Sequence, residues 1–185
     1  EDVSSSLLAI ALNSMAISSR SWRGWQLPVR TDSFHSNAKI EEIETNQLFN
    51  SFKEGFKVAV VSGFQGIEQA GRITTLGRGG SDTSAVAIAA AIDAERCDIY
   101  TDVSGIFTTD PRIKRNASKL KKISFEEMLE MASLGANVLQ TRAVELAMRH
   151  KVPIRVLNSF SKEEGTIVCD EEEIMEKNIV SGIAF

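Results

Sequence analysis

The sequence has 185 residues, 43% hydrophobic and 25% charged, with a formal net charge of -4. That length suits one domain or a little more with a real core, and the balance excludes a disordered chain or a membrane protein. A pI near 5.3 leaves no basic stripe for phosphates, which argues against nucleic acid as the main partner. Cys97 and Cys169 are too few and too far apart for a disulfide framework or a zinc knuckle, which points to reduced thiols and a cytoplasmic setting.

Glu1 is not an initiator methionine, and the apolar run 7–12 follows acidic and serine residues rather than the basic region of a signal peptide. Leu7, Leu8, Ala11, Leu12 and Met15 recur at helical spacing, so a helix is predicted almost from the first residue, as if a preceding strand or loop had been cut away. A strand is expected over 21–25, then an irregular stretch with Pro28, Asp32 and Asn37, then a short strand over 39–43. Thr45 reads as the N-cap of a helix to about Glu54, stopped by Gly55. Residues 57–62, Lys-Val-Ala-Val-Val-Ser, read as a strand buried on both faces. A helix over 83–94, apolar nearly all round, has to be sandwiched, and 98–101 is the next strand. Helices over 125–134 and 138–149 follow, then a strand over 154–158 after Pro153. The run 179–185 is β-like with nothing after it, and reads as an imposed boundary. The alternation predicts an α/β fold with buried parallel strands and helices above and below.

Two stretches carry chemistry. Residues 76–82 read Leu-Gly-Arg-Gly-Gly-Ser-Asp and open into the small-residue helix. The glycines let the backbone turn tightly, and Ser81 and Asp82 are N-capping types, so the free N–H groups of the first turn would face an anion. Arg78 adds a planar fork of donors for a carboxylate or phosphate. The plainer alternative, a glycine turn and an ordinary N-cap, leaves Arg78 without a role. The second stretch, 101–112, reads Thr-Asp-Val-Ser-Gly-Ile-Phe-Thr-Thr-Asp-Pro-Arg and leaves the carboxyl end of a core strand, where open α/β sheets place ligands. Its carboxylates, hydroxyls and arginine suit metal, ribose or phosphate contacts. A surface loop with a turn at Thr109, Asp110 and Pro111 explains it equally well.

Neither stretch is a Walker loop, and Gly77, Gly79 and Gly80 do not fit the dinucleotide glycine pattern. His35 and His150 lack partners at ligand spacing and read as solvated or capping residues. No metal-ligand cluster or serine or cysteine nucleophile signature is evident.

Residues 74–84 (Thr-Thr-Leu-Gly-Arg-Gly-Gly-Ser-Asp-Thr-Ser), 100–112 and 124–144 closely resemble the aspartate kinases of the amino acid kinase superfamily, in the right order and over nearly the whole chain. The resemblance implies a three-layer α/β/α sandwich with a mainly parallel sheet. It also implies transfer of the ATP γ-phosphoryl group to the β-carboxylate of L-aspartate, giving 4-phospho-L-aspartate at the head of the lysine, threonine and methionine (diaminopimelate) route. Arg78, Gly79, Gly80 and Ser81 would cradle aspartate, with Glu1 on its amino group and Asp82 organising the transfer centre. Thr101, Asp102, Phe107, Thr108, Thr109, Asp110, Pro111, Arg112 and Asn137 would hold ATP. Mg²⁺ is implied, with few direct protein ligands.

Phe107 replaces a common tyrosine of the family, and Asn137 stands where many members carry a lysine. The family's Lys-Phe-Gly-Gly segment is absent, so 1–178 is expected to be the carboxyl-terminal part of a kinase domain, inactive alone, with 179–185 leading towards regulatory ACT domains. The full-length protein is expected to be a homo-oligomer. Alternatives are an amino acid kinase acting on glutamate, acetylglutamate or a nucleoside monophosphate, or a subunit that only assembles with a partner.

Overall fold

The computed structural model describes residues 1–136, 138–174 and 182, so Asn137 and all of 179–185 except Gly182 lie outside the description. The chain divides into two compact units, Glu1–Ile92 and Asp93–Phe185.

The first unit runs α1 (Asp2–Ser14), β1 (Ser19–Trp22), β2 (Val29–Thr31), β3 (Ile40–Ile43), α2 (Asn46–Lys53), β4 (Val58–Val61), β5 (Gln65–Ile67), β6 (Ile73–Thr75) and α3 (Gly80–Ala91). Strands β1 and β4 pair in parallel, while β3, β2, β5 and β6 form a second, mixed sheet in that order. Trp22, Leu27 and Leu48 form a buried cluster, with Ile43, Ala59, Val61, Ile88 and Ile92 packed against it. Helix α2 behaves as its sequence predicts, with Thr45 at the N-cap and Gly55, at φ +100°, just past the end.

Three expectations change here. The first strand lies two residues earlier than 21–25, at Ser19–Trp22. Strand β4 is half-buried along its length, with β1 as its one strand partner among the described residues. In α1 the helical spacing is right but the buried residues are Ser5 and Ala9, while Val3, Leu7, Leu8, Ile10 and Met15 point outward. The small face wins because Ser5 bonds Ser62 across to the end of β4 and Asn13 bonds the Ser19 backbone, fixing the rotation of the helix.

The second unit runs β7 (Cys97–Thr101), β8 (Lys122–Ser124), α4 (Phe125–Ser133), α5 (Thr141–His150), β9 (Ile154–Asn158), β10 (Thr166–Cys169) and a 3-10 turn at Glu171–Glu173. Its sheet has the order β7, β9, β10, β8, with β7 and β9 parallel, β9 and β10 antiparallel, and β10 and β8 parallel. Helix α4 starts on a capping box: the Glu127 N–H donates to Ser124 Oγ at 3.2 Å and the Ser124 N–H to Glu127 Oε2 at 3.0 Å. Phe125, the next residue, is almost wholly buried, so truncation to alanine there costs about 3–5 kcal/mol. Helix α5 starts three residues later than 138, after an extended Gln140. Cys97 and Cys169 are both buried thiols not joined in a disulfide, and burial pushes the Cys169 thiol up. No described helix is long and apolar enough to cross a membrane.

Candidate active site

The glycine stretch enters α3 earlier than its sequence suggests. Gly79, at φ +68°, is the N-cap, so Ser81 and Asp82 sit inside the first turn rather than at the cap position. A left-handed residue reverses the chain at once, and glycine reaches that conformation without steric cost. Gly80 is needed for packing, because an added Cβ would sit 2.8 Å from the Phe64 ring and 2.9 Å from Leu76 Cβ. The hydroxyl of Thr83 donates to the Gly79 carbonyl at 2.9 Å, steadying the turn. Arg78 and Ser81 are exposed, and Asp82 is half-buried in the first turn, where a carboxylate is favoured by the helix dipole.

Glu1 belongs to the same neighbourhood. Asp2, beside it at the start of α1, accepts from Gln65 Nε2 at 3.0 Å and lies 3.7 Å from Arg23. The hydroxyl of Ser62 and the Gln65 amide hold the Asp2 carboxyl below the usual carboxylate range. Residues 62–65 are also the stretch that lies against α3, where an added Cβ on Gly63 would be 3.8 Å from Ser81 Cα. The loop between β4 and β5 therefore joins the amino-terminal ends of α1 and α3, bringing Glu1 and the Arg78–Asp82 stretch to one region of the first unit.

In the second unit, the loop after β7 walls a cavity of about 590 Å³. Thr101, Asp102, Phe107, Thr109, Asp110, Pro111 and Arg112 line it, together with Val103, Ser104, Gly105, Ile106, Ile113, Met131, Gly135, Ala136 and Val138. Thr108 is not on that wall: its N–H donates to the Ser118 carbonyl at 2.9 Å, and its hydroxyl accepts from the Ser118 N–H at 3.1 Å. It closes the loop. Asn137 itself is undescribed, but its neighbours Ala136 and Val138 contribute to the wall. The apolar lining residues carry no polar signal in the sequence. Only the Leu-Gly-Ala stretch at 134–136 could have pointed to them.

The rigid frame of this loop is built from hydroxyl and amide contacts. Thr166 Oγ1 accepts from the Ile106 N–H at 2.9 Å, and Asn158 Nδ2 donates to the Asp102 carbonyl at 3.1 Å. At the rim, Arg112 forks onto Asp110 through contacts of 3.0–3.2 Å. That pairing holds the Asp110 carboxyl below its usual range and raises the guanidinium. Thr109 Oγ1 is buried without a hydrogen-bond partner. A buried hydroxyl left unpaired in a protein this well satisfied calls for a ligand or a water. The cavity thus offers apolar side chains for a flat ring, hydroxyls and carboxylates for a sugar, and an arginine for phosphate. Of the two histidines, His35 stands 3.6 Å from Glu68 and His150 ends α5.

Each unit therefore carries one candidate site, a helix start suited to an anion in the first and a cavity of about 590 Å³ beyond the end of β7 in the second. The comparisons with known proteins narrow this. The model of the amino acid kinase family matches residues 1–158, and the chain belongs to that family. It is similar to an aspartate kinase of Pseudomonas fluorescens, 54% identical over the whole chain, and to an aspartokinase of Bacillus sp. MGA3, also 54% identical. The chain spans about half the length of these curated relatives, covering 45% of each. Among solved structures it resembles E. coli aspartokinase III in complex with aspartate and ADP, with a TM-score of 0.82 and 37% identity over 90% of this chain and 38% of that one. The likeness places it in the α/β/α sandwich fold class expected from the sequence. A UMP kinase from Bacillus anthracis, with a TM-score of 0.64 at 18% identity over 91% of this chain and 65% of that one, shares the fold alone.

Proposed function

We propose that the full-length gene product is an aspartate kinase, moving the γ-phosphoryl group of ATP onto the β-carboxylate of L-aspartate. The observation that carries this reading is that residues 62–65 touch both Asp2, the neighbour of Glu1, and the Arg78–Asp82 stretch. A small amino dicarboxylate needs a cation and backbone N–H groups for its carboxylates and an anion for its ammonium group. Arg78 with Gly79, Gly80 and Ser81 supplies the first set, and Glu1 the second. Similarity to a kinase described with aspartate and ADP supports the same choice over glutamate or a nucleoside monophosphate.

The cavity of the second unit fits the nucleotide as co-substrate. Thr101, Asp102, Phe107, Thr109, Asp110, Pro111 and Arg112 would hold it, Thr108 would keep the loop shaped, and Arg112 would turn from Asp110 to phosphate. Mg²⁺ would enter with the triphosphate and neutralise its charge, taking most of its ligands from phosphate oxygens and water. A carboxylate oxygen bonds to the γ-phosphorus, the bond from that phosphorus to the bridging oxygen breaks, and ADP leaves. The acceptor is already ionised at neutral pH, so no general base is needed. Asp82 acts as an organiser of the cationic groups around the transferring phosphoryl. In this reading residues 1–178 are the carboxyl-terminal part of the kinase domain, and the full-length protein is a homo-oligomer in the cytoplasm.

The test offers Mg-ATP with L-aspartate, L-glutamate, N-acetyl-L-glutamate or UMP to the full-length gene product and traps acyl phosphate with hydroxylamine. L-Aspartate should be the preferred acceptor by at least a hundredfold in kcat/KM. Preference for another acceptor, or nucleotide-independent inertness, overturns the assignment.

A further inference from the structure

Phe64 has a backbone that aromatic residues avoid, with φ +66°. Every backbone group that could relax it is held. Its carbonyl accepts from the Leu76 N–H at 3.0 Å, its N–H donates to Ser84 Oγ at 2.8 Å, and its ring packs on Gly80 closely enough to leave no room for a Cβ there. Ser84, one turn into α3, is almost fully buried. Its hydroxyl proton goes to the Gly80 carbonyl at 2.7 Å, which leaves its lone pair for Phe64. One hydroxyl therefore ties the β4–β5 loop to the first turn of α3, and both directions of the bond are assigned.

We propose that Ser84 is a positioning residue for acceptor binding: it touches no substrate, but it locks Phe64 in the left-handed conformation and so fixes residues 62–65 against the Gly79–Ser81 turn. The proposal rests on the aspartate kinase reading for its choice of substrate. A serine in a helix often bonds the carbonyl four residues back, and that alone would be a local habit with slight cost to the helix. The second bond, to an amide far away in sequence that is held in a strained conformation, is what a local habit does not explain. Without the clip, Phe64 is free to return to ordinary backbone angles, swinging the loop that carries the Asp2 contact away from the glycine turn.

The experiment compares Ser84→Ala and Ser84→Thr in the full-length gene product. Alanine is the better helix former, so α3 itself should survive the first change. In Ser84→Ala the KM for L-aspartate should rise about tenfold with the KM for Mg-ATP within twofold, and Ser84→Thr, which keeps the hydroxyl, should return the aspartate value to within threefold of the parent. Hydrogen exchange at the Phe64 amide, read without substrate, should be at least tenfold faster in the alanine variant. An unchanged aspartate KM, or losses for aspartate and ATP alike that threonine does not rescue, overturns the positioning role. Unchanged Phe64 exchange overturns the clip itself. A parent protein that phosphorylates no L-aspartate sinks the aspartate reading instead, and the exchange measurement then decides the clip on its own.

Discussion

Gln65 and Asp2, far apart in sequence, meet through a 3.0 Å hydrogen bond from the Gln65 side-chain amide to the Asp2 carboxylate. The contact fixes the first turn of α1, and with it Glu1, to the loop beside the glycine turn. Asp2 also sits where the helix dipole favours a negative charge. Replacing Asp2 by alanine should lower stability by about 0.5–1 kcal/mol, a sum of a lost surface hydrogen bond and a lost dipole contact, and should weaken L-aspartate binding as well. Urea unfolding at pH 7 checks the first effect. An unchanged midpoint would show that the start of α1 is anchored by other contacts.

Asp82 should separate from the binding residues in kinetics. The substitution Asp82→Asn keeps the shape and removes the charge, so turnover should fall by about 10²–10³ while both Michaelis constants stay within a few-fold. Steady-state rates against each substrate give the answer. A loss expressed only as weaker substrate binding would assign Asp82 to the cradle.

The second unit carries a pH-dependent fastening. Asp98 on β7 pairs with Arg155 on β9, its cross-strand partner, and with Arg96 at 2.8 Å. Burial works to raise the Asp98 carboxyl, but hydrogen bonds from Arg155 and then Arg96 prevail, so its pKa in the folded chain is lowered. A lowered folded pKa means that the unfolded chain binds the proton more readily. The stabilisation is therefore full above the ordinary carboxylate value of about 4 and is lost as pH falls through the lower folded value. Asp98→Asn should destabilise at pH 7, and the gap to the parent should close in melts taken below about pH 4. A gap independent of pH would show that the carboxylate charge is not what stabilises β7 against β9.

Strands over 154–158 and 98–101 were legible because a proline and apolar β-branched residues bound them, and the observed β9 and β7 match within a residue. Strands β2, β5 and β6 are three residues long and exist through pairings such as Gln65 with Thr75, which no local pattern reveals. In α1, periodicity shows a helix but not its covered side, because the serine and asparagine contacts that set its rotation are made with distant residues. At the site, the Arg78–Asp82 stretch and most of 101–112 could be read from residue type. The apolar cavity wall of Met131, Gly135, Ala136 and Val138 and the Ser84 to Phe64 bond could not, since neither carries a distinctive residue type.

If the first unit holds the carboxylate acceptor and the second the nucleotide, a paired kinetic comparison of Arg78→Ala and Thr109→Val in the full-length gene product separates the two sites. Arg78 is exposed and has no hydrogen-bond or ion-pair partner among the described residues, so its removal should raise the KM for L-aspartate by at least tenfold and leave that for Mg-ATP unchanged. Thr109 carries a buried, unpartnered hydroxyl in the cavity wall, so the near-isosteric valine should leave the melting temperature unchanged or raised while raising the KM for Mg-ATP about three- to tenfold and sparing that for L-aspartate. Opposite, non-overlapping shifts are the predicted result. If either variant weakened both substrates equally, or if the two effects were exchanged, the assignment of the two sites would be contradicted.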